Sequence, residues 1–272
     1  MTRLAISNLA LPQLTMPGVL RDIHAAGVQG IEVAPTRVAP WADLSDDRLE
    51  DYRLILADHG LVVSSLASLF FNTKGLNLLG DHAAFERMRE HLQRVAAIGQ
   101  RLGTTIGVFG SPQNRLRGAL STAAAAELGC ERLRQLADTV AVEGFALVLE
   151  PVPAGYGGDF LPSAAEVIAM VKAVDHPGLR VHLDTGGVLL GGDRIADAVM
   201  AAGTSLGHFH IAEPGLGPFH NPVAEHANAA DSLQKTGYDG WLAIEMLEQT
   251  LNSLPAAIEA IRVARHFYPM ID

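Results

Sequence analysis

Short apolar runs alternate with longer amphipathic stretches along the chain, at intervals of about 30 residues. The runs at 4–7, 30–34, 61–66, 104–109, 145–150, 179–184, 206–211 and 241–245 have the length and composition of β-strands. The stretches at 17–26, 46–59, 81–102, 122–143, 163–174, 194–202, 222–236 and 255–267 repeat apolar positions at helical spacing. Gly27, Gly60, Gly103 and Gly144 stand where four of these helices should stop. Ser163 followed by Glu166 predicts a capping box at the start of another.

Strands separated by helical crossovers run parallel, and eight such units in one chain favour a closed (β/α)8 TIM barrel. The rival, an open doubly wound sheet, usually places a glycine-rich phosphate loop after its first strand. Here Asn8, Leu9, Ala10, Leu11 and Pro12 follow instead. No linker or composition break divides residues 1–272, so a single domain is expected. The longest connections, 70–80, 110–121, 152–162 and 213–221, all follow predicted strands. In a barrel these segments line the face that carries active sites.

Composition narrows the partners. Hydrophobic residues make up 49% and charged residues 18%, enough to fill a large core. The formal net charge of −10 opposes a duplex nucleic-acid partner, which needs a basic face. The single cysteine, Cys130, precludes an intrachain disulfide and reads as a small core residue. The first residues lack a secretory pattern, and no apolar run approaches the roughly 20 residues that span a bilayer. A soluble, cytoplasmic protein without a membrane partner is expected.

Four consecutive predicted strands end in a metal-type ligand: Glu150, Asp184, His210 and Glu245. The spacings of 34, 26 and 35 residues are each close to one βα unit, which places the four side chains at one level of the rim. Three carboxylates held together repel one another, and a divalent cation relieves that repulsion. Three oxygens and one imidazole suit Mn²⁺, Mg²⁺, Co²⁺ or Zn²⁺, and the oxygen-rich set favours Mn²⁺ or Mg²⁺.

The sequence resembles the sugar phosphate isomerase/epimerase family of the xylose-isomerase-like barrels, related to ketose 3-epimerases. The likeness spans essentially the whole chain. It rests on Gly30-Ile31-Glu32-Val33, Leu149-Glu150-Pro151, Leu183-Asp184-Thr185-Gly186, Phe209-His210-Ile211 and the stretch from Gly237 to Glu245. The resemblance implies one bound metal, commonly Mn²⁺, on Glu150, Asp184, His210 and Glu245. It also implies a ketose, sugar phosphate or keto-polyol substrate and proton transfer through a stabilised enediolate, with Glu150 and Glu245 as acid and base. Some such relatives form dimers, which makes a homo-oligomer an expectation by analogy.

Three departures bear on the reaction. Tyr156, Gly187 and Leu216 stand where the epimerases carry a glutamate, a histidine and an arginine that orient substrate. A dehydratase, a lyase or a C-glycoside-cleaving enzyme could use the same metal site, and a non-catalytic sugar-binding subunit is a further reading. An apurinic endonuclease shares the barrel but uses more metal ions and more histidines.

Other residues on the same predicted face complete the list of candidates. Glu32, Ser111, Arg115, Glu213 and His220 are expected at the substrate, Arg115 as a phosphate or carboxylate partner and Glu213 as the group that orients His210. Asn72 and Lys74 could serve similarly, and His226 could act with His220 as an acid or base. His182 and His208 are expected to be buried and hydrogen-bonded, and Trp41, Phe70, Phe71 and Phe219 could form an apolar wall.

Overall fold

The computed structural model describes residues 3–12, 18–249 and 253–269. Eight parallel strands close into a barrel in sequence order: β1 (Arg3–Ser7), β2 (Gly30–Val33), β3 (Val62–Leu66), β4 (Ile106–Phe109), β5 (Ala146–Leu149), β6 (Leu179–Asp184), β7 (Leu206–Ala212) and β8 (Trp241–Glu245). The closing edge pairs Arg3 with Trp241 and Ile6 with Ile244. Around it run α1 (Val19–Ala25), α2 (Asp46–Ala57), α3 (His82–Leu102), α4 (Thr122–Ala141), α5 (Ala164–Val174), α6 (Thr185–Leu190), α7 (Ile195–Ala202), α8 (His226–Thr236) and α9 (Ser253–Phe267). The expected (β/α)8 architecture is present as one domain.

The helices form where local chemistry starts and stops them. The Asp81 side chain accepts the Ala84 N–H at 2.7 Å to open α3, and Gly103, at φ 80°, closes it in the left-handed region. Between them Phe85, Met88, Leu92, Val95, Ala96 and Leu102 line one buried face. The predicted capping box of Ser163 and Glu166 opens α5. Cys130 lies in α4, partly buried against the core.

Alternation along the strands divides the interior in two. Leu4, Ile6, Ile31, Val33, Leu147, Leu149, Leu183, Phe209, Leu242 and Ile244 join the large core between barrel and helices. The opposite set faces the barrel axis and differs in kind. Ala5, Ala243 and Trp241 form a small cluster of their own, as do Ala67, Val108 and Val148. The remaining inward positions include buried Glu32, Ser65, His182, Asp184, His208 and His210. The barrel axis is therefore polar toward its C-terminal end.

Element ends otherwise shift by no more than about two residues, but two places differ further from expectation. The helix predicted from 222 begins at His226, because residues 222–225 form the turn that Glu213 binds; the predicted start at 17 lies outside the described residues. The short helix α6 stands where a loop was expected. Gly186 admits it, since a Cβ there would fall 2.6 Å from the Glu213 carbonyl carbon.

Candidate metal centre

Strands β5 to β8 bring their terminal ligands to one place. One donor atom from each of Glu150, Asp184, His210 and Glu245 lies within 4.8 Å of the others. The strand register sets this directly: Asp184 pairs with His210, and Glu245 with Ala212 two residues beyond. Nδ1 of His210 is 3.0 Å from Oε2 of Glu245 and 3.8 Å from Oδ2 of Asp184.

Each ligand is held by its surroundings. Oδ1 of Asp184 accepts the N–H of Gly187 and caps α6. Its Oδ2 is buried and makes no hydrogen bond with the described residues, so that it is left for the cluster. Gly110 makes room for Glu150, because a Cβ at that position would lie 2.1 Å from Oε2. Gly187, where the epimerases carry a histidine, serves here as the donor to Asp184.

The electrostatics of the cluster call for a cation. Burial, with the charges of Glu245 and Asp184, pushes the Glu150 carboxyl up to about 8. Burial and Glu245 push Asp184 up to about 7. For His210 burial works against the imidazolium. The charges of Glu32 and Glu245 outweigh it and hold the ring well above the usual imidazole range. Protons thus fill the place of a missing positive charge. An orphaned carboxylate oxygen, three carboxyl groups and one imidazole nitrogen fit a divalent ion of hard or borderline character.

Beneath this set lies a second layer. Oε2 of Glu32 is 2.9 Å from Nε2 of His210, 3.0 Å from Nε2 of His208 and 2.8 Å from Oγ of Ser65. His182 packs edge-on to His210, with ring centroids 4.1 Å apart, and stacks on His208. Two further groups of potential ligands overlap the first: Glu32, His208 and His210, and Glu150, His182 and His210. Sequence reasoning placed His182 and His208 inward. His208 is hydrogen-bonded as expected, whereas neither ring nitrogen of His182 has a partner among the described residues.

A cavity of about 520 Å³ opens above the metal-type ligands. Glu150 and Glu245 stand at its wall with Ser68, Phe70, Phe71, Asn72, Ser111, Gln113 and Asn114. Ser111, Asn72, Phe70 and Phe71 therefore lie where a substrate contact was expected. Among the described residues, no lysine or arginine lines this cavity.

Several expected contacts are replaced by others. Glu32 is fully buried, does not line the cavity and is hydrogen-bonded to His208 and His210. Arg115 is equally buried: its Nη2 donates to the Glu150 backbone carbonyl at 2.6 Å, its guanidinium lies over the Phe109 ring, and it does not line the cavity. Glu213 does not orient His210. Its carboxylate is 2.7 Å from Nε2 of His226 and accepts the N–H of Val223 and of Ala224. His226 is in turn 3.0 Å from the Tyr268 hydroxyl, which ties the loop after β7 to α8 and the end of the chain. Phe219 stacks on His226 in the core, and His220 is exposed outside the cluster. Lys74 is exposed outside the cavity wall, and Trp41 donates its Nε1–H to the Phe71 carbonyl at 2.7 Å.

Sequence reasoning missed Ser65 and the work of Tyr156. Ser65 is the register partner of Glu32, a pairing displaced by an irregularity between Ile31 and Glu32. The Tyr156 hydroxyl accepts the Gly215 N–H at 2.8 Å and joins the loops after β5 and β7.

The fold agrees with that of known proteins. The model of the xylose isomerase-like TIM barrel family matches residues 20–267. The chain is 27% identical over 228 residues to L-ribulose 3-epimerase of Methylomonas sp., covering 81% of this chain and 74% of that protein. It is 30% identical over 141 residues to D-psicose 3-epimerase of Agrobacterium fabrum, covering 49% of this chain and 46% of that one. Among solved structures, D-psicose 3-epimerase from Clostridium cellulolyticum H10 with D-tagatose superposes with a TM-score of 0.82 at 16% identity, covering 98% of this chain and 99% of that one. At that identity the superposition speaks for the fold. The chain belongs to the xylose isomerase-like TIM barrel family, and it is related to ketose 3-epimerases.

Proposed function

We infer that this protein is a divalent-metal-dependent epimerase or isomerase of an uncharged ketose or related keto-polyol. One observation carries the reading: Glu150 and Glu245, two members of the four-ligand cluster, are also walls of the cavity, so a substrate above the cluster meets both carboxylates. The relatives named above act on, or bind, sugars of that kind.

When bound, a divalent ion on Glu150, Asp184, His210 and Glu245 supplies Lewis acidity toward a substrate carbonyl, with Mn²⁺ favoured by the oxygen-rich donors. The protein's own groups do the rest. Glu150 and Glu245 reach the cavity and exchange a carbon-bound proton beside that carbonyl, one taking it and the other returning it. Asp184 is pinned by Gly187 and keeps a fixed position while the glutamates work. Asn72, Ser111, Gln113 and Asn114 offer neutral donors and acceptors suited to hydroxyl groups, and Phe70 and Phe71 offer an apolar surface. A phosphate ester would find no cationic side chain among the described residues of this wall, which favours an unphosphorylated substrate.

A second reading, elimination of water from a keto-polyol, draws on Tyr156, Gly187 and Leu216, which replace the substrate-orienting groups of the epimerases. One experiment addresses both. The Mn²⁺-loaded protein is incubated with ketoses in D₂O, and the mixture is followed by NMR. Deuterium entering beside the carbonyl, lost in Glu150→Gln and Glu245→Gln, supports the epimerase reading. An unsaturated or deoxy product supports elimination. Absence of any reaction across ketopentoses, ketohexoses and keto-glycosides contradicts both.

A further inference from the structure

Glu32, Ser65, His182 and His208 are fully buried beneath the four-ligand cluster and do not line the cavity. We propose that Glu32 is a positioning residue that fixes which nitrogen of His210 faces the metal. This rests on the metal reading of the four-ligand cluster and extends it to a residue outside that cluster.

The hydrogen bonds carry the argument. Three groups converge on a single oxygen, Oε2 of Glu32: Ser65 Oγ at 2.8 Å, His208 Nε2 at 3.0 Å and His210 Nε2 at 2.9 Å. An ionised carboxylate only accepts, so both imidazoles must present N–H on Nε2. Three donors on one oxygen are the arrangement that an ionised carboxylate accepts. With a proton fixed on Nε2, Nδ1 is the nitrogen that gives up its proton to a cation, on the opposite side of the ring. That side lies 3.0 Å from Glu245 Oε2 and 3.8 Å from Asp184 Oδ2. The reversed tautomer would set the lone pair of Nε2 against a fully buried carboxylate, where such repulsion is poorly screened.

The surrounding residues keep the arrangement in place. Glu32 and Ser65 are register partners, and His208 sits two residues before His210 on the same inward face. His208 supplies a second donor that stabilises the ionised Glu32. His182 packs against both rings and limits their rotation. Carboxylate partners of this kind commonly set the orientation and basicity of metal-bound histidines.

The test uses full-length protein with ¹⁵N-labelled histidine, first without metal and then with Zn²⁺, a diamagnetic probe. Wild type should show slowly exchanging Nε2–H signals from His208 and His210 in both states, with Nδ1 of His210 shifting when Zn²⁺ is added. In Glu32→Ala these signals should be lost and the Kd for Zn²⁺ should rise about 10–100-fold. Glu32→Gln preserves the packing and offers one accepting oxygen, so it should retain the fold and fall between the two. Removing the second donor in His208→Asn should weaken Zn²⁺ less than Glu32→Ala does. Wild type whose Zn²⁺-bound His210 carries its proton on Nδ1 and not on Nε2, or Glu32→Ala and Glu32→Gln that both bind Zn²⁺ as tightly as wild type, overturns the role of Glu32 alone. Wild type that keeps both Nε2–H signals but binds no Zn²⁺ overturns the metal reading, and the proposal with it.

Discussion

Nδ1 of His210 lies 3.0 Å from Oε2 of Glu245, across the edge where β7 meets β8. Without a cation, the attraction across this contact is one of the interactions that hold His210 well above the usual imidazole range. A divalent ion would take over that role, and the protein's response to pH should change with it.

Without metal, the folded state binds extra protons on Glu150, raised to about 8, on Asp184, raised to about 7, and on His210. The unfolded chain releases the corresponding carboxyl protons near ordinary carboxylate pH. Where the folded state holds more protons, stability falls as pH rises. Glu32 and Glu213 are shifted the other way, and their contribution is complete above the ordinary carboxylate range. His91, His182 and His208 are held below the usual imidazole range and offset this trend at lower pH, so urea midpoints in chelator should drop between about pH 6.5 and pH 8. With Mn²⁺ present the drop should vanish or reverse, because the ion replaces the protons. Identical profiles with and without Mn²⁺ would contradict the electrostatic account.

Calorimetry in buffers of different ionisation enthalpy reads the same exchange directly. At pH 7 Mn²⁺ uptake should release protons, fewer at pH 8.5 where Glu150 and Asp184 have largely given theirs up. Uptake without proton release at pH 7 would mean that the carboxylates are already ionised.

Gly110 stands where a Cβ would fall 2.1 Å from the Glu150 carboxylate. Gly110→Ala should displace that carboxylate and weaken Mn²⁺ about 10–100-fold, with the melting transition still cooperative. Wild-type affinity in this variant would show that Glu150 has another position from which to bind.

The buried contact of Glu213 with His226 makes a contrasting case. Glu213→Gln leaves part of that network unsatisfied and should cost about 1–3 kcal/mol of stability. Mn²⁺ affinity should be unchanged, because Glu213 is tied to the loop before α8 and to His226, not to His210. Equal stability with weakened Mn²⁺ would reverse that assignment.

These two glutamates also show what the sequence could and could not reveal. Glu150, Asp184, His210 and Glu245 were legible because each closes an apolar strand one βα unit from the next, and the barrel turns that spacing into proximity. Glu213 looked equivalent, but it lies an odd number of residues past His210 and so leaves on the other side of the strand. Glu32 has the right parity. Its depth in the barrel follows from a register irregularity beside Ile31, and its partner His210 is 178 residues away. Arg115 was legible as a charge near the site, but its direction is set by the Glu150 carbonyl, a tertiary contact with no local signature.

Tyr156 bridges the loops after β5 and β7 through the Gly215 N–H. Tyr156→Phe removes the acceptor and should loosen the rim more than the chemistry. For any ketose that turns over, KM should rise several-fold with kcat much less affected. A fall confined to kcat would instead place the hydroxyl in the proton transfer.

The most direct measurement is metal content and affinity in wild type beside His210→Ala and Glu245→Gln, by elemental analysis and titration calorimetry. The account predicts one tightly held divalent ion per chain, taken up as Mn²⁺ and weakened in both variants. A wild type that takes up no Mn²⁺, or variants that bind it as tightly as wild type, would contradict it.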